Sequence, residues 1–234
     1  MVHDRRNKEE GESDSWFFAP YRCKYHFYQR ADVYQCLKAL DIKHIHFHGD
    51  SMSRELFEWT TSYLGFAGKD VKQLTKEDHF NNIEFVVNGL KISEGYTWGF
   101  NINVSKIIEE PPYPDVYITN YMIAHSSQHA YDFKKNFEQT EVKYWKEHYK
   151  STKLPLPRYR FFQNARELNG KREQVDSGTY AGNLYRENSE VLRQFYVDQL
   201  GFTELDEYQV SQGRYDFYTV ANDGWHFRGT KRMM

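Results

Sequence analysis

Between residues 43 and 64 the hydrophobic period of the chain changes abruptly. Lys43-His-Ile-His-Phe-His48 alternates in strand fashion, and Gly49-Asp50 interrupts it. From Met52 to Leu64 the residues Met52, Leu56, Trp59, Thr60 and Tyr63 then recur at spacings of three and four. A strand that passes through a two-residue break straight into a helix is the start of an α/β unit, and the break lies beyond the carboxyl end of the strand. Gly65 is placed to stop the helix.

The elements that follow extend this pattern. Ile83–Val87 and Leu90–Ser93 flank Asn88-Gly89, a dipeptide that tolerates positive φ at both turn positions, which predicts a hairpin. Asp115–Asn120, after Pro111, Pro112 and Pro114, predicts a core strand ending in polar residues. A helix is expected over Tyr131–Lys150, a strand over Arg158–Gln163, and a helix over Asn188–Leu200 closed by Gly201. Strand and helix alternate, so the fold class expected is α/β, layered around a largely parallel sheet, with the hairpin as an insertion or an edge. A chain of 234 residues can bury one substantial core. Residues 1–15 are polar without periodicity and read as a flexible arm, leaving 16–234 as one domain.

Composition narrows the partners. Lys+Arg 31 against Asp+Glu 33 leaves no basic surplus to neutralise a phosphate backbone, which argues against nucleic acid. No apolar run approaches the roughly 18 residues of a membrane span, and the N-terminus is charged where a secretory signal would be apolar. The chain as given is expected to be soluble, with cytosol and secretory lumen both open. Its 19 Tyr and 17 Phe suit either carbohydrate stacking or core filling. Cys23 and Cys36 fit a disulfide pinning the N-terminal segment or two buried thiols, and Asn103-Val-Ser105 is a glycosylation sequon only in a secretory compartment.

Two short motifs near the two ends carry the chemistry. Ser51 follows the Gly49-Asp50 break and opens a helix, where its own N–H and the helix dipole would favour a developing anion. The same residue is equally suited to cap that helix. Asp223-Gly-Trp-His226 places a carboxylate three residues before an imidazole, close enough to hold Nδ1 while Nε2 accepts a serine proton; alone it reads as well as a surface turn. His44, His46 and His48 share one strand face and raise a metal site, but no matching ligand cluster accompanies them. A partly exposed strand face is the simpler expectation, and no cofactor is predicted. His125 and His129, four apart, could line a pocket near Asn120 or serve structure.

Taken together, Trp16-Phe-Phe-Ala-Pro-Tyr-Arg-Cys23, Cys36-Leu37, Ile45-His-Phe-His-Gly-Asp-Ser-Met-Ser-Arg54 and Asp223-Gly-Trp-His226 resemble the PC-esterase branch of the SGNH (GDSL-like) superfamily. That branch includes fungal capsule O-acetyltransferase-like and plant trichome-birefringence-like proteins. The resemblance implies a three-layer, flavodoxin-like α/β/α domain and an acyl-serine mechanism on an acylated glycan or other small ester. Ser51 would be the nucleophile, with Asp223 and His226 as its acid and base. It implies for Arg54 either a hold on local structure or a substrate contact, and it is compatible with a secretory lumen. It leans toward acetyl transfer over hydrolysis, while a non-catalytic glycan- or protein-binding module on the same fold is the alternative. For further oxyanion donors the resemblance implies Asn120, at a strand end, and Gly95, after the hairpin strand; no Gly-x-Asn-Asp pattern surrounds Asn120, a departure from the superfamily that bears on the oxyanion hole.

Overall fold

The computed structural model describes residues 2–4, 15–17, 28–66, 83–96, 113–121, 130–150, 156–164 and 182–207. Near the N-terminus β1 (Val2–Asp4) pairs antiparallel with β2 (Ser15–Phe17), so the segment expected as a flexible arm contributes a strand. The rest is built on a six-stranded sheet of β3 (His44–Gly49), β4 (Ile83–Val87), β5 (Leu90–Tyr96), β6 (Val116–Thr119), β7 (Tyr159–Gln163) and β8 (Thr203–Leu205). Their order across the sheet is β4-β5-β3-β6-β7-β8. Only β4 runs antiparallel to its neighbour; every other pairing is parallel.

The hairpin turns where the sequence predicts, with Asn88 at φ 52° and Gly89 at φ 79°, the paired positive values of a tight twisted turn. It is more than an insertion. Its second strand, β5, is the direct neighbour of β3, and β4 alone forms the edge.

Alternation along the strands sends two sets of side chains to opposite faces. Ile45, Phe47, Ile92 and Val116 pack with Phe57 and Leu64 against α1 (Arg30–Ala39) and α2 (Ser51–Thr61). Tyr117 and Phe162 face the other way, among Phe133, Phe137, Trp145, Phe195, Tyr196 and Phe202. These belong to α3 (Ala130–Phe137), α4 (Lys143–Lys150) and the segment after α5 (Gly182–Arg193). Helices thus cover both faces of the sheet. The large aromatic content goes chiefly into this core among the described residues, where Tyr117–Trp145 and Phe162–Tyr196 ring centroids lie 5.9 and 5.3 Å apart.

Local details depart from the sequence expectation in instructive ways. The helix expected over 131–150 is α3 and α4 joined through a π-helical stretch, Glu138–Val142, and α5 runs into a second one, Gln194–Gln199. The buried stripe of α2 consists of Met52, Ser53, Arg54, Phe57 and Thr61, whereas Trp59, Thr60 and Tyr63 are only partly covered. Phe57 sets that rotation by packing on Phe47 and Phe85, 5.9 and 5.8 Å between centroids. α1 and β8 carry too little periodic signal to be read in advance; α1 buries no residue fully. Cys36 lies exposed on α1, which removes the buried-thiol alternative for it, while Cys23 and Asn103 are outside the described residues. No helix among the described residues is long and apolar enough to cross a membrane.

Candidate functional site

The chain leaves β3 for α2 on one face and leaves β6 toward α3 on the other. The carboxyl ends of β3 and β6 therefore flank a point where successive connections diverge, which is where open α/β sheets form their crevices. Ser51 follows β3 and Asn120 follows β6. Although 70 positions apart, the two turns are locked together. Asn120 Nδ2 donates to Asp50 Oδ1 at 2.8 Å, and the Asp50 N–H donates to Asn120 Oδ1 at 3.2 Å. The Asn120 N–H reaches the His48 carbonyl at 3.3 Å.

Asp50 also starts the helix. Its Oδ1 accepts from the Met52 N–H at 2.9 Å, and its carbonyl accepts from the Arg54 N–H at 3.0 Å. The capping role that Ser51 could have filled therefore belongs to Asp50, and Ser51 is the first residue of α2, partly exposed. At that position its N–H lies at the positive end of the helix dipole. Gly49 is required by contact: a Cβ there would lie 1.9 Å from Asn120 Oδ1 and 3.0 Å from the Ser53 Cβ. Beyond Asn120 the backbone reverses through Tyr121, held at φ 44° with its ring buried, a conformation that bulky residues adopt only under constraint.

The other expected residues fall as follows. Gly95 pairs with His48 in the β3–β5 ladder, one residue short of the end of β5, and so stands beside the Ser51 turn. Arg54 is buried and pairs with Glu94 of β5, an arrangement that fits the structural one of its two expected roles. Burial pushes the Glu94 carboxyl up to about 7 even with the guanidinium against it. Asn120 is wholly buried, and the amide that the resemblance offers as an oxyanion donor braces the Gly49-Asp50 turn. Asp223, His226, His125 and His129 are outside the described residues.

The three histidines of β3 overturn the expectation of a partly exposed face, because all three are buried. Ser93 Oγ lies 2.7 Å from His44 Nε2 and 2.8 Å from His46 Nδ1, and the Tyr117 hydroxyl lies 2.8 Å from His48 Nδ1. Desolvation holds His46 well below the usual imidazole range and His48 down at about 4, so both are neutral near pH 7. They form a stacked column, with His46 and His48 centroids 6.4 Å apart.

At the ends of β7 and β8 lies a cluster of polar side chains, one of which reaches the α2 backbone. Buried Gln163 donates through Nε2 to the Met52 carbonyl at 3.4 Å and to Glu207 Oε1 at 2.7 Å. Asn164 Nδ2 donates to Glu204 Oε1 and Asp206 Oδ1, both at 2.9 Å. Sequence reasoning missed Asp50 as the cap, Glu94, and this cluster. For Glu94 a signal existed: it continues the Leu90, Ile92 face of β5, so a carboxylate stands where alternation asks for an apolar residue. Comparison with protein-family models, with curated proteins and with solved structures found no match in any of the three.

Proposed function

We propose that this chain is a serine-dependent acyl-ester enzyme of SGNH type that works through an acyl-serine on Ser51, with His226 as base and Asp223 as its orienting acid. The observation that carries the reading is the position of Ser51. It is the first residue of a helix leaving the strand at the divergence of the sheet, with the capping duty taken by Asp50 and the turn pinned by Asn120. A serine freed of the capping role at the carboxyl-end crevice is where a nucleophile belongs.

In this reading His226 takes the proton from Ser51 as the hydroxyl oxygen attacks the ester carbonyl, and the alcohol leaves with that proton. Water or a second hydroxyl then takes the acyl group by the reverse route. The Ser51 N–H, with the Gly95 backbone beside it, would face the oxyanion, each such donor contributing about 3 kcal/mol, while Asn120 braces the turn that presents them. Acetyl transfer to a glycan hydroxyl is the preferred outcome.

The test is turnover of p-nitrophenyl acetate by wild type, Ser51→Ala and His226→Ala, each shown to be folded by circular dichroism. The reading expects both variants to lose activity by at least about 10³-fold. Equal turnover in wild type and both variants would defeat it.

A further inference from the structure

We propose that Glu94 is a positioning residue for Ser51: its ion pair with Arg54 holds the first turn of α2 against β5 and so sets the spacing between the Ser51 hydroxyl and the Gly95 backbone. The proposal rests on the reading of Ser51 as nucleophile and adds to it a residue that touches no substrate.

The geometry supplies each link. Arg54 lies one helical turn after Ser51, and its N–H makes the bond to the Asp50 carbonyl that opens α2. Its Nε pairs with Glu94 Oε2, and Glu94 directly precedes Gly95. The Arg54 side chain is 5% exposed and that of Glu94 0%, so the link is rigid, unlike a surface ion pair that solvent and rotamer freedom would loosen.

Stability alone gives a poor account of the pair. Glu94 continues the strand face of Leu90 and Ile92, which belong to the apolar core on this side of the sheet, and apolar side chains of similar volume often replace a buried ion pair at equal or lower free energy. What an apolar pair would not supply is a fixed register between one helix turn and one strand residue. The charged groups acting on Glu94 are Arg54 and Glu58 of α2 and Asp50 at its cap. The two carboxylates and burial oppose its ionisation, and Arg54 favours it, so the pair is complete above about pH 7 and weakens as Glu94 takes up a proton.

The experiment measures covalent labelling of the full chain by a fluorophosphonate probe as a function of pH, separating the maximal rate from the half-saturating concentration. Wild type, Glu94→Gln and Glu94→Asp are compared, with thermal unfolding to establish folding. Glu94→Gln is expected to label about 10-fold more slowly at saturation with half-saturation unchanged, as a small misplacement of a nucleophile does. It should also lose the part of the rate increase that wild type shows across pH 7, and Glu94→Asp, which keeps the charge, should recover much of the rate. A folded Glu94→Gln with the wild-type rate and pH profile would overturn the proposal. If Glu94→Gln does not fold, the pair is loosened from the helix side by Arg54→Lys, and a folded Arg54→Lys with the wild-type rate and pH profile would overturn it instead. A folded wild type that the probe does not label at Ser51 would remove the reading of the nucleophile itself, and this proposal with it.

Discussion

Two buried carboxylates stand on opposite faces of the sheet and meet different fates. Glu94, on the α2 face beside the Ser51 turn, is paired with a cation, Arg54. Glu141, in the π-helical stretch between α3 and α4, accepts among the described residues from two neutral donors, Trp145 Nε1 at 2.8 Å and the Tyr196 hydroxyl at 2.5 Å. Burial pushes both up to about 7. The contrast shows what each is for. A carboxyl among neutral donors is satisfied in either protonation state and serves packing, whereas one beside a buried guanidinium ties two elements together and depends on its charge.

The first way to break this contrast is to wreck the turn that the ion pair is thought to support. Gly49→Ala would drive a methyl into Asn120 Oδ1 and should lower stability by about 3 kcal/mol, read as a shift of the urea midpoint at constant slope. A loss below about 1 kcal/mol would mean that the Gly49–Asn120 contact is soft and does not constrain Ser51.

Arg54→Met tests the charged side of the comparison. Removing the cation leaves Glu94 buried without its partner, at a cost of about 3 kcal/mol near pH 8. The cost should shrink toward pH 5, where Glu94 is neutral. The same loss at both pH values would show that Glu94 does not change protonation in that range.

Glu141→Gln tests the neutral side and should be milder, about 1 kcal/mol or less at pH 5, because an amide oxygen still accepts from Trp145 and Tyr196. The sign of its pH dependence follows from the raised value. The folded state holds the Glu141 proton more tightly than the unfolded chain, so its contribution is complete below about 4.5 and is lost as pH rises through about 7. Gln removes that loss, and the variant should approach or exceed wild-type stability at pH 8. The buried histidines act oppositely: held low, His46 and His48 cost stability as pH falls below about 6.5. His48→Gln should therefore flatten the acid side of a stability–pH curve without moving its alkaline side, which guanidinium chloride titrations at several pH values would read.

Much of this was legible in the sequence because it rests on local rules. The strand–break–helix at residues 43–64, the Asn88-Gly89 hairpin and the parallel sheet follow from period and turn chemistry. Three things were hidden for physical reasons. Which residues of α2 face inward depends on where Phe47 and Phe85 wait for Phe57, a tertiary fact. The burial of His44, His46 and His48 depends on Ser93 and Tyr117 from neighbouring strands, and alternation along β3 cannot report them. The Asp50–Asn120 and Arg54–Glu94 pairs join residues 70 and 40 apart, so each partner alone reads as an ordinary turn residue or a misplaced charge. The meeting of Asp223 and His226 with Ser51 falls outside the described residues and stays with experiment.

The most direct measurement is rapid-quench trapping of the acyl-enzyme. Wild type and His226→Ala would each be mixed with p-nitrophenyl acetate, stopped in acid within the first turnover, digested and mapped by mass spectrometry. The account predicts one acetyl group on Ser51 in wild type, appearing with the nitrophenol burst and nearly absent in His226→Ala. Acetyl on another residue, or equal acetylation of Ser51 in both proteins, would contradict it.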